Sequence, residues 1–253
     1  MRIFALSDIH VDHDDNANWL RSLSAADYRR DLLILAGDIT HRRPLLAWCL
    51  NEFARRFAQV LFVPGNHDLW VVGEAPGKTS LQKFDDVAAT AADCGVSMRP
   101  YVANATLIAP LLGWYDYSFG EPGEDLLQRW SDFYACRWPP GFDPANVAAH
   151  FAAMNLSRVP DGVDRVMTFS HFLPRLDLVP SFVPARHRIL DPVLGSTRLD
   201  AQLRRLGSVA HVYGHSHINR NVRIDGVEYF NNAFGYPHED MITAKRLVCI
   251  GTL

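Results

Sequence analysis

Side chains that bind metal ions or carry protons stand together in five short blocks of the sequence. The blocks are DIH at 8–10, GD at 37–38, GNHD at 65–68, SH at 170–171 and GHSH at 214–217. Their oxygen and imidazole donors, with no thiolate among them, suit Mn, Fe, Zn or Ni. The sequence therefore predicts a metal site built from Asp8, His10, Asp38, Asn66, His67, Asp68, His171, His215 and His217.

The spacing within the blocks supports this prediction. DIH and GHSH each place two donors two residues apart, so both can point the same way in an extended or turn conformation. A glycine precedes Asp38, Asn66 and His215. At these positions we expect the backbone to turn sharply and to leave room for a metal.

Each of these residues alone has a simpler explanation. A lone strand-end Asp such as Asp8 or Asp38 often caps the next helix, Asn66 tolerates a turn, and a single histidine such as His171 is usually a hydrogen-bonded core or loop residue. Their joint occurrence favours the metal site. Histidines outside the blocks are expected to be surface or supporting residues, although His13 and His41, three residues after a ligand, are expected to face the cleft; the others are His150, His187, His211 and His238.

The elements that must position these blocks are short apolar strands. RIFALSD, DLLILAGD and QVLFVPGN end in polar residues and are typical of buried strands, with helical spacing between them at 17–26 and 44–58. VDRVMTFSH and SVAHVYGHSH repeat the pattern around a candidate helix at 197–206. Because ligands of open α/β sheets lie beyond the carboxyl ends of the strands, we expect the five loops to converge.

The second half of the chain also predicts antiparallel structure. NATLIAPLLGW is a long strand candidate, NVRIDGVEYFN is a hairpin with Asp225 and Gly226 in a type I′ turn, and RLVCIGTL is a closing strand. Residues 118–160, rich in Pro, Gly and aromatic residues, contain two helical patches and are interpreted as a cap-like insertion. No linker divides the chain, so we expect one domain over 1–253.

Composition narrows the function classes. A net charge of −3 and a pI near 6.4 give no basic face for nucleic acid. No apolar run approaches the ~18 residues that cross a bilayer, and MRIFALSDIH lacks a signal-peptide core. The four cysteines form no CxxC pair, which favours buried reduced thiols. We expect a cytoplasmic protein without a membrane partner.

Taken in order over residues 8–217, the five blocks resemble the signature of calcineurin-like metallophosphoesterases. The resemblance implies an α/β fold, a four-layer α/β/β/α sandwich, with two divalent metal ions at its centre. Asp38 would bridge the two ions. The remaining ligands would be Asp8, His10 and His217 for one ion and Asn66, His171 and His215 for the other.

The same resemblance makes His67 a catalytic residue, with Asp68 as its orienting partner. Two cations about 3.5–4 Å apart convert a bridging water to hydroxide, which attacks phosphorus in line. A protonated His67 would donate to the leaving oxygen or stabilise phosphoryl charge, and Asp68 would favour that imidazolium. Mn²⁺ is the favoured ion, with Fe, Zn, Ni and Mg as alternatives.

The motif details separate branches of the family. Protein Ser/Thr phosphatases of this family are similar to one another in the motifs GDxVDRG and GNHE. This chain has GDITHRR and GNHD, so that beyond the shared GD and GNH only Arg42 matches. The blocks are more similar to bacterial and archaeal small-molecule phosphoesterases. We predict a metal-dependent phosphoric ester hydrolase acting on a small molecule or nucleotide, with phosphodiesterase favoured over phosphomonoesterase or protein phosphatase. A nuclease and a non-catalytic scaffold are further alternatives, disfavoured by the acidic balance and the complete ligand set.

Substrate contacts are predicted outside the blocks. Trp70, two residues after Asp68, and Tyr115, after a long strand candidate, are the preferred aromatic pocket residues. Arg186 and Arg188 are either phosphate contacts or residues of a solvated loop.

Overall fold

The computed structural model describes residues 1–253, and its ten strands form two sheets packed between helices. The strands are β1 (Arg2–Leu6), β2 (Leu32–Ala36), β3 (Gln59–Val63), β4 (Tyr101–Ala103), β5 (Thr106–Pro110), β6 (Arg165–Phe169), β7 (Ala210–Tyr213), β8 (Arg220–Ile224), β9 (Val227–Asn231) and β10 (Val248–Thr252). The helices are α1 (Asp14–Ser22), α2 (Arg43–Ala54), α3 (Ser80–Asp93), α4 (Glu124–Arg129), α5 (Asp132–Ala135), α6 (Pro144–Met154), α7 (Asp191–Leu194) and α8 (Thr197–Arg205).

The first sheet has the order β10-β1-β2-β3. Strands β1, β2 and β3 run parallel, and β10 pairs antiparallel with β1 at the edge. The predicted strands and intervening helices are confirmed. Helix α1 begins earlier than its apolar spacing indicated because Asp14 and Asp15 form its first turn, where acidic side chains favour the helix dipole.

The second sheet has the order β4-β5-β6-β7-β9-β8. Strands β5, β6, β7 and β9 are parallel, and β4 and β8 pair antiparallel at the two edges. The predicted hairpin between β8 and β9 is confirmed, since Asp225 and Gly226 have φ values of 47° and 84°, as a type I′ turn requires.

The predicted long strand in NATLIAPLLGW is wrong. Strand β5 is only five residues long and runs parallel to β6. It ends at Pro110, which has no amide proton to donate to a further ladder bond. The apolar residue that follows Pro110, Leu111, packs in the core without being part of the strand.

Alternating side chains build the four layers. In β1, Phe4 and Leu6 face helices α1, α2 and α3, whereas Ile3 and Ala5 face the second sheet. The outer face of the second sheet packs against α6 and α8 in the largest apolar cluster. The predicted two-sheet α/β sandwich is therefore confirmed, and its carboxyl-terminal strand ends lie along the seam between the sheets.

Residues 118–160 contain three helices, α4, α5 and α6, where the sequence indicated two helical patches. Helix α6 begins after the Asp143 cap and buries Val147 and Phe151 in the largest apolar cluster. None of the helices combines the length and apolar character that crossing a bilayer requires. All four cysteines are free, but Cys49 alone is fully buried and Cys249 is exposed.

Candidate metal centre

The seven predicted ligand side chains come together where the strands of both sheets end. The loops after β1, β2 and β3 carry Asp8, His10, Asp38 and Asn66, and the loops after β6 and β7 carry His171, His215 and His217. Loops of opposite sheets are directly bonded, since the amide of His215 donates to Asp8 Oδ1 at 3.0 Å. The five loops therefore converge, as the sequence predicted.

The backbone at this seam adopts unusual conformations. Five of the seven residues have positive φ, at 53° for Asp8, 41° for His10, 57° for Asp38, 68° for His215 and 50° for His217. Non-glycine residues in this region cost on the order of 1–2 kcal/mol each, and such strain concentrates at functional sites. These strained backbone conformations direct the donor side chains towards the centre of the site.

The three glycines before the ligands make room for neighbouring ligands. A Cβ on Gly37 would overlap the His171 ring, one on Gly65 would overlap Asp38 Oδ1, and one on Gly214 would overlap the Asp8 carboxylate. Only Gly37 has positive φ. The predicted need for space is therefore correct, but the space is taken by the adjacent donors themselves.

One group of donors is formed by Asp8, His10 and His217. Their ligand atoms lie within 4.8 Å of one another. His10 Nε2 lies 3.1 Å from His217 Nε2, which is 3.3 Å from Asp8 Oδ1. The Nδ1 atom of His217 contacts Glu239 Oε2 at 2.6 Å, so Nε2 is the ring nitrogen that faces the other two donors. Tyr236 stacks on the His10 ring at 4.6 Å.

A second group is formed around His171. Its Nε2 atom lies 3.1 Å from both Asn66 Oδ1 and His215 Nδ1. The remaining ring nitrogens contact backbone carbonyls, His171 Nδ1 to Ala36 at 2.9 Å and His215 Nε2 to Val193 at 3.1 Å. These contacts fix which nitrogen of each ring faces the centre.

Asp38 lies between the two groups. Its Oδ1 atom is 3.5 Å from His171 Nε2, and its Oδ2 atom is 4.0 Å from His10 Nε2. Burial, together with the charges of Asp8 and Asp68, raises the pKa of Asp38 well above its usual range. A bound cation would offset this repulsion, so the buried carboxylates and the free ring nitrogens fit divalent metal ions.

The sequence predicted that Asp68 would contact the His67 ring, but the Asp68 carboxylate is bonded elsewhere. Its carboxylate accepts hydrogen bonds from the backbone amides of Gly65, Asp38, Ile39 and Thr40 at 2.8–3.0 Å. Burial raises the pKa of Asp68 to about 6 against the effect of these four bonds. The side chain therefore ties the loops after β2 and β3 together.

His67 instead contacts an aromatic ring. It stacks on Trp70 with centroids 3.8 Å apart, and its Nε2 atom lies 3.9 Å from Asp38 Oδ2. Burial, reinforced by the neighbouring histidines, lowers the pKa of His67 to about 3. The imidazolium expected from the sequence is thus disfavoured, and the ring is neutral near pH 7.

A buried carboxylate from residues 118–160 also reaches the centre. Asp132 accepts hydrogen bonds from Asn66 Nδ2 at 2.9 Å, Trp70 Nε1 at 2.6 Å and Trp130 Nε1 at 2.8 Å. Because Nδ2 of Asn66 is held by Asp132, Oδ1 faces His171. None of the five sequence blocks contains Asp132, Glu239 or Tyr236, so these residues were not predicted.

The other predicted residues have mixed outcomes. Trp70 borders the site, but Tyr115 is wrong as a pocket residue because it is 2% exposed and packs in the core. Arg188 pairs with Asp191 at 2.9 Å, and Arg186 is exposed on the same loop. Two further histidines stand at the periphery, His13 beside Tyr236 and His41 beside Trp70.

Comparison with known proteins places this geometry in a family. The family model of calcineurin-like phosphoesterases matches residues 1–219. A relative described as [acyl-carrier-protein] phosphodiesterase PptH, from Mycobacterium tuberculosis, is 30% identical over 264 residues, covering 94% of this chain and 78% of that protein.

A solved structure agrees over nearly the same extent. The crystal structure of the phosphopantetheinyl hydrolase PptH from Mycobacterium tuberculosis has a TM-score of 0.73 and 26% identity, covering 94% of this chain and 90% of that one. The predicted family and fold are therefore confirmed. Because the family model and the relative both span most of the chain, this protein belongs to the calcineurin-like phosphoesterases and is a phosphoric ester hydrolase.

Proposed function

We propose that the protein is a binuclear, manganese-dependent phosphodiesterase. The observation that carries this proposal is the position of Asp38, whose two carboxylate oxygens face two separate donor groups. One cation would be held by Asp8, His10 and His217, and the other by Asn66, His171 and His215, with Asp38 shared. A single site would not need a carboxylate between two complete sets of donors.

The metals and the chain have separate tasks. When bound, two divalent cations lower the pKa of water and offset the charge of the phosphoryl oxygens. The chain holds the donor nitrogens in fixed tautomers through Glu239, Ala36 and Val193. In the overall reaction, a water oxygen bonds to phosphorus, the bond to one ester oxygen breaks, and the departing oxygen gains a proton. The products are a phosphomonoester and an alcohol.

His67 assists the departing oxygen as a neutral hydrogen-bond donor. Its pKa of about 3 excludes a stored proton near neutral pH, but a ring N–H can still donate to an oxygen that gains charge. Stacking on Trp70 and the bond from the His67 amide to Asp38 Oδ1 at 2.9 Å fix the ring beside the donor groups.

The substrate that we propose is a phosphopantetheinyl ester of a carrier protein. The support is the similarity to PptH, which is described as an [acyl-carrier-protein] phosphodiesterase and a phosphopantetheinyl hydrolase. We further propose that residues 1–253 act as one domain in which residues 118–160 cap the centre. The hydrogen bonds that Asn66 and Trp70 donate to Asp132 support this role.

Elemental analysis joined to a substrate screen tests the proposal. The purified protein should bind about two Mn²⁺ ions per chain after reconstitution and be most active with them, and a phosphodiester should be hydrolysed faster than the matching monoester. The screen uses bis(4-nitrophenyl) phosphate, 4-nitrophenyl phosphate and a phosphopantetheinylated carrier protein. Exhaustive chelation should abolish turnover. Full turnover after chelation would contradict the metal mechanism, and preference for the monoester would contradict diesterase activity.

A further inference from the structure

An apolar groove opens beside the candidate metal centre. It encloses about 400 Å³, within the range of small-molecule sites, and seven of its thirteen lining residues are hydrophobic. We define it as the His217 groove, with Phe182, Val183, Leu190 and Ile242 on its walls and His217 and Glu239 among its lining residues. Since His217 belongs to both the groove and a donor group, the groove is continuous with the centre.

The titratable side chains that line the groove each have a partner. Glu239 is bonded to His217, Asp191 is paired with Arg188, and His187 Nε2 accepts a hydrogen bond from Arg186 Nε at 3.2 Å. Phe182 is 72% exposed, and an exposed large apolar side chain at the edge of a cleft favours ligand contact. These walls suit an extended, uncharged and mostly apolar ligand chain.

The His10 ring contacts both the His67 ring and the His217 ring, which lines the groove. The His10 ring centroid is 4.8 Å from that of His67 and 5.1 Å from that of His217. A phosphodiester at the centre has two ester substituents. If His67 contacts the departing oxygen, the retained substituent can extend past His217 into the groove.

We propose that the His217 groove binds the retained ester substituent of the substrate, an uncharged amide-containing chain of the pantetheine type. This inference rests on the proposed phosphodiesterase function. In the reaction, water adds to phosphorus, the bond to the departing alcohol on the His67 side breaks, and that alcohol takes up the proton. The pantetheine chain remains esterified to the phosphate and stays in the groove until release.

Binding of the product tests the groove without requiring turnover. Calorimetry on Mn²⁺-loaded protein should give pantetheine 4′-phosphate an affinity at least about tenfold higher than that of methyl phosphate, because tenfold corresponds to burial of only about two methylene groups. In Phe182→Asp this affinity ratio should fall towards one. Phe182 is exposed, so the variant should keep the thermal unfolding midpoint of the wild type. Met154→Asp, on a different exposed apolar residue, should retain the ratio.

Turnover separates this inference from the proposed function. The two substrates are the 4-nitrophenyl diesters of pantetheine 4′-phosphate and of methyl phosphate. If neither is hydrolysed, the diesterase proposal fails, and the binding ratio still decides the groove. Equal affinity for pantetheine 4′-phosphate and methyl phosphate would overturn the inference. A wild-type ratio in Phe182→Asp would also overturn it, as would tighter binding of thymidine 5′-phosphate than of pantetheine 4′-phosphate.

Discussion

At the scale of single residues, Asp38 combines several contacts in one buried side chain. Its side chain faces two donor groups, accepts the backbone amide of His67 and is buried beside two other carboxylates. The motif GD predicted a ligand here, but the crowding that raises its pKa comes from Asp8 and Asp68, which are distant in sequence. The chemistry of a residue is thus set by neighbours that the fold supplies.

Replacing Asp38 by asparagine should strongly reduce turnover with the fold retained. The amide keeps the size and the acceptor oxygen but removes the charge between the two donor groups. Metal assistance is worth several kcal/mol, so the rate should fall by about 10³-fold. Turnover of bis(4-nitrophenyl) phosphate, metal content and circular dichroism measure the effect. His150→Ala, on the exposed face of α6, is the control, and a variant with wild-type rate would exclude Asp38 as the shared ligand.

Replacing His67 by alanine should slow poor leaving groups most. An alkoxide needs a hydrogen bond as the ester bond breaks, whereas a nitrophenolate leaves without help, so the loss should be about 10²-fold for alkyl esters and smaller for nitrophenyl esters. Paired kcat values for methyl 4-nitrophenyl phosphate and a dialkyl phosphate test this expectation. Equal losses for both substrates would assign His67 to the phosphoryl oxygens instead.

At the scale of elements, strand ends were predictable and their supporting contacts were not. Short apolar runs that end in polar residues located β1, β2, β3, β6 and β7. The positive φ values of five predicted ligands could not be read from residue type, because Asp and His seldom require them. Asp132 was equally hidden, since a single acidic residue in an aromatic segment gives no periodic or motif signal.

Replacing Asp132 by asparagine should weaken metal binding. Three N–H groups converge on this carboxylate, and an amide in its place would turn a donor towards one of them. Loss of such supporting contacts typically costs about 10- to 100-fold in metal affinity. Calorimetric titration with Mn²⁺ measures it, and Asp125→Asn on the exposed surface of α4 is the matched control. Unchanged affinity would show that the cap does not support Asn66.

At the scale of the whole molecule, alternation along the strands predicted the layers because each face of a strand has a different partner. Phe4 and Leu6 face the helices while Ile3 and Ala5 face the other sheet. The length of β5 was less predictable. Apolar residues after β5, such as Leu111, pack in the core without being part of the strand. Hydrophobicity alone therefore overestimated the length of β5.

A buried histidine in the second sheet makes stability depend on pH. His211 is fully buried between Thr168 and Ser170, and desolvation lowers its pKa to about 3. The unfolded chain binds a proton near pH 6.5, so this contribution is present above pH 6.5 and is lost as the pH falls towards 3. The stability of the wild type relative to His211→Gln should decline by about 1.4 kcal/mol per pH unit below pH 6.5.

Urea unfolding of both proteins between pH 7 and 5 measures this difference. His150→Ala serves again as the control, because an exposed histidine should leave the slope against pH unchanged. Parallel pH profiles for the wild type and His211→Gln would contradict a neutral His211 in the folded state.

The placement of the donors on opposite sheets has a mechanical consequence. Four of them follow strands of one sheet and three follow strands of the other. An ion held by Asp38 and the imidazoles would therefore cross-link two halves that otherwise meet through apolar packing and hydrogen bonds such as that from the His215 amide to Asp8. Cation supply would then govern cohesion of the sandwich. Above the dissociation constant, each tenfold rise in free ion should add about 1.4 kcal/mol of resistance to unfolding per bound ion.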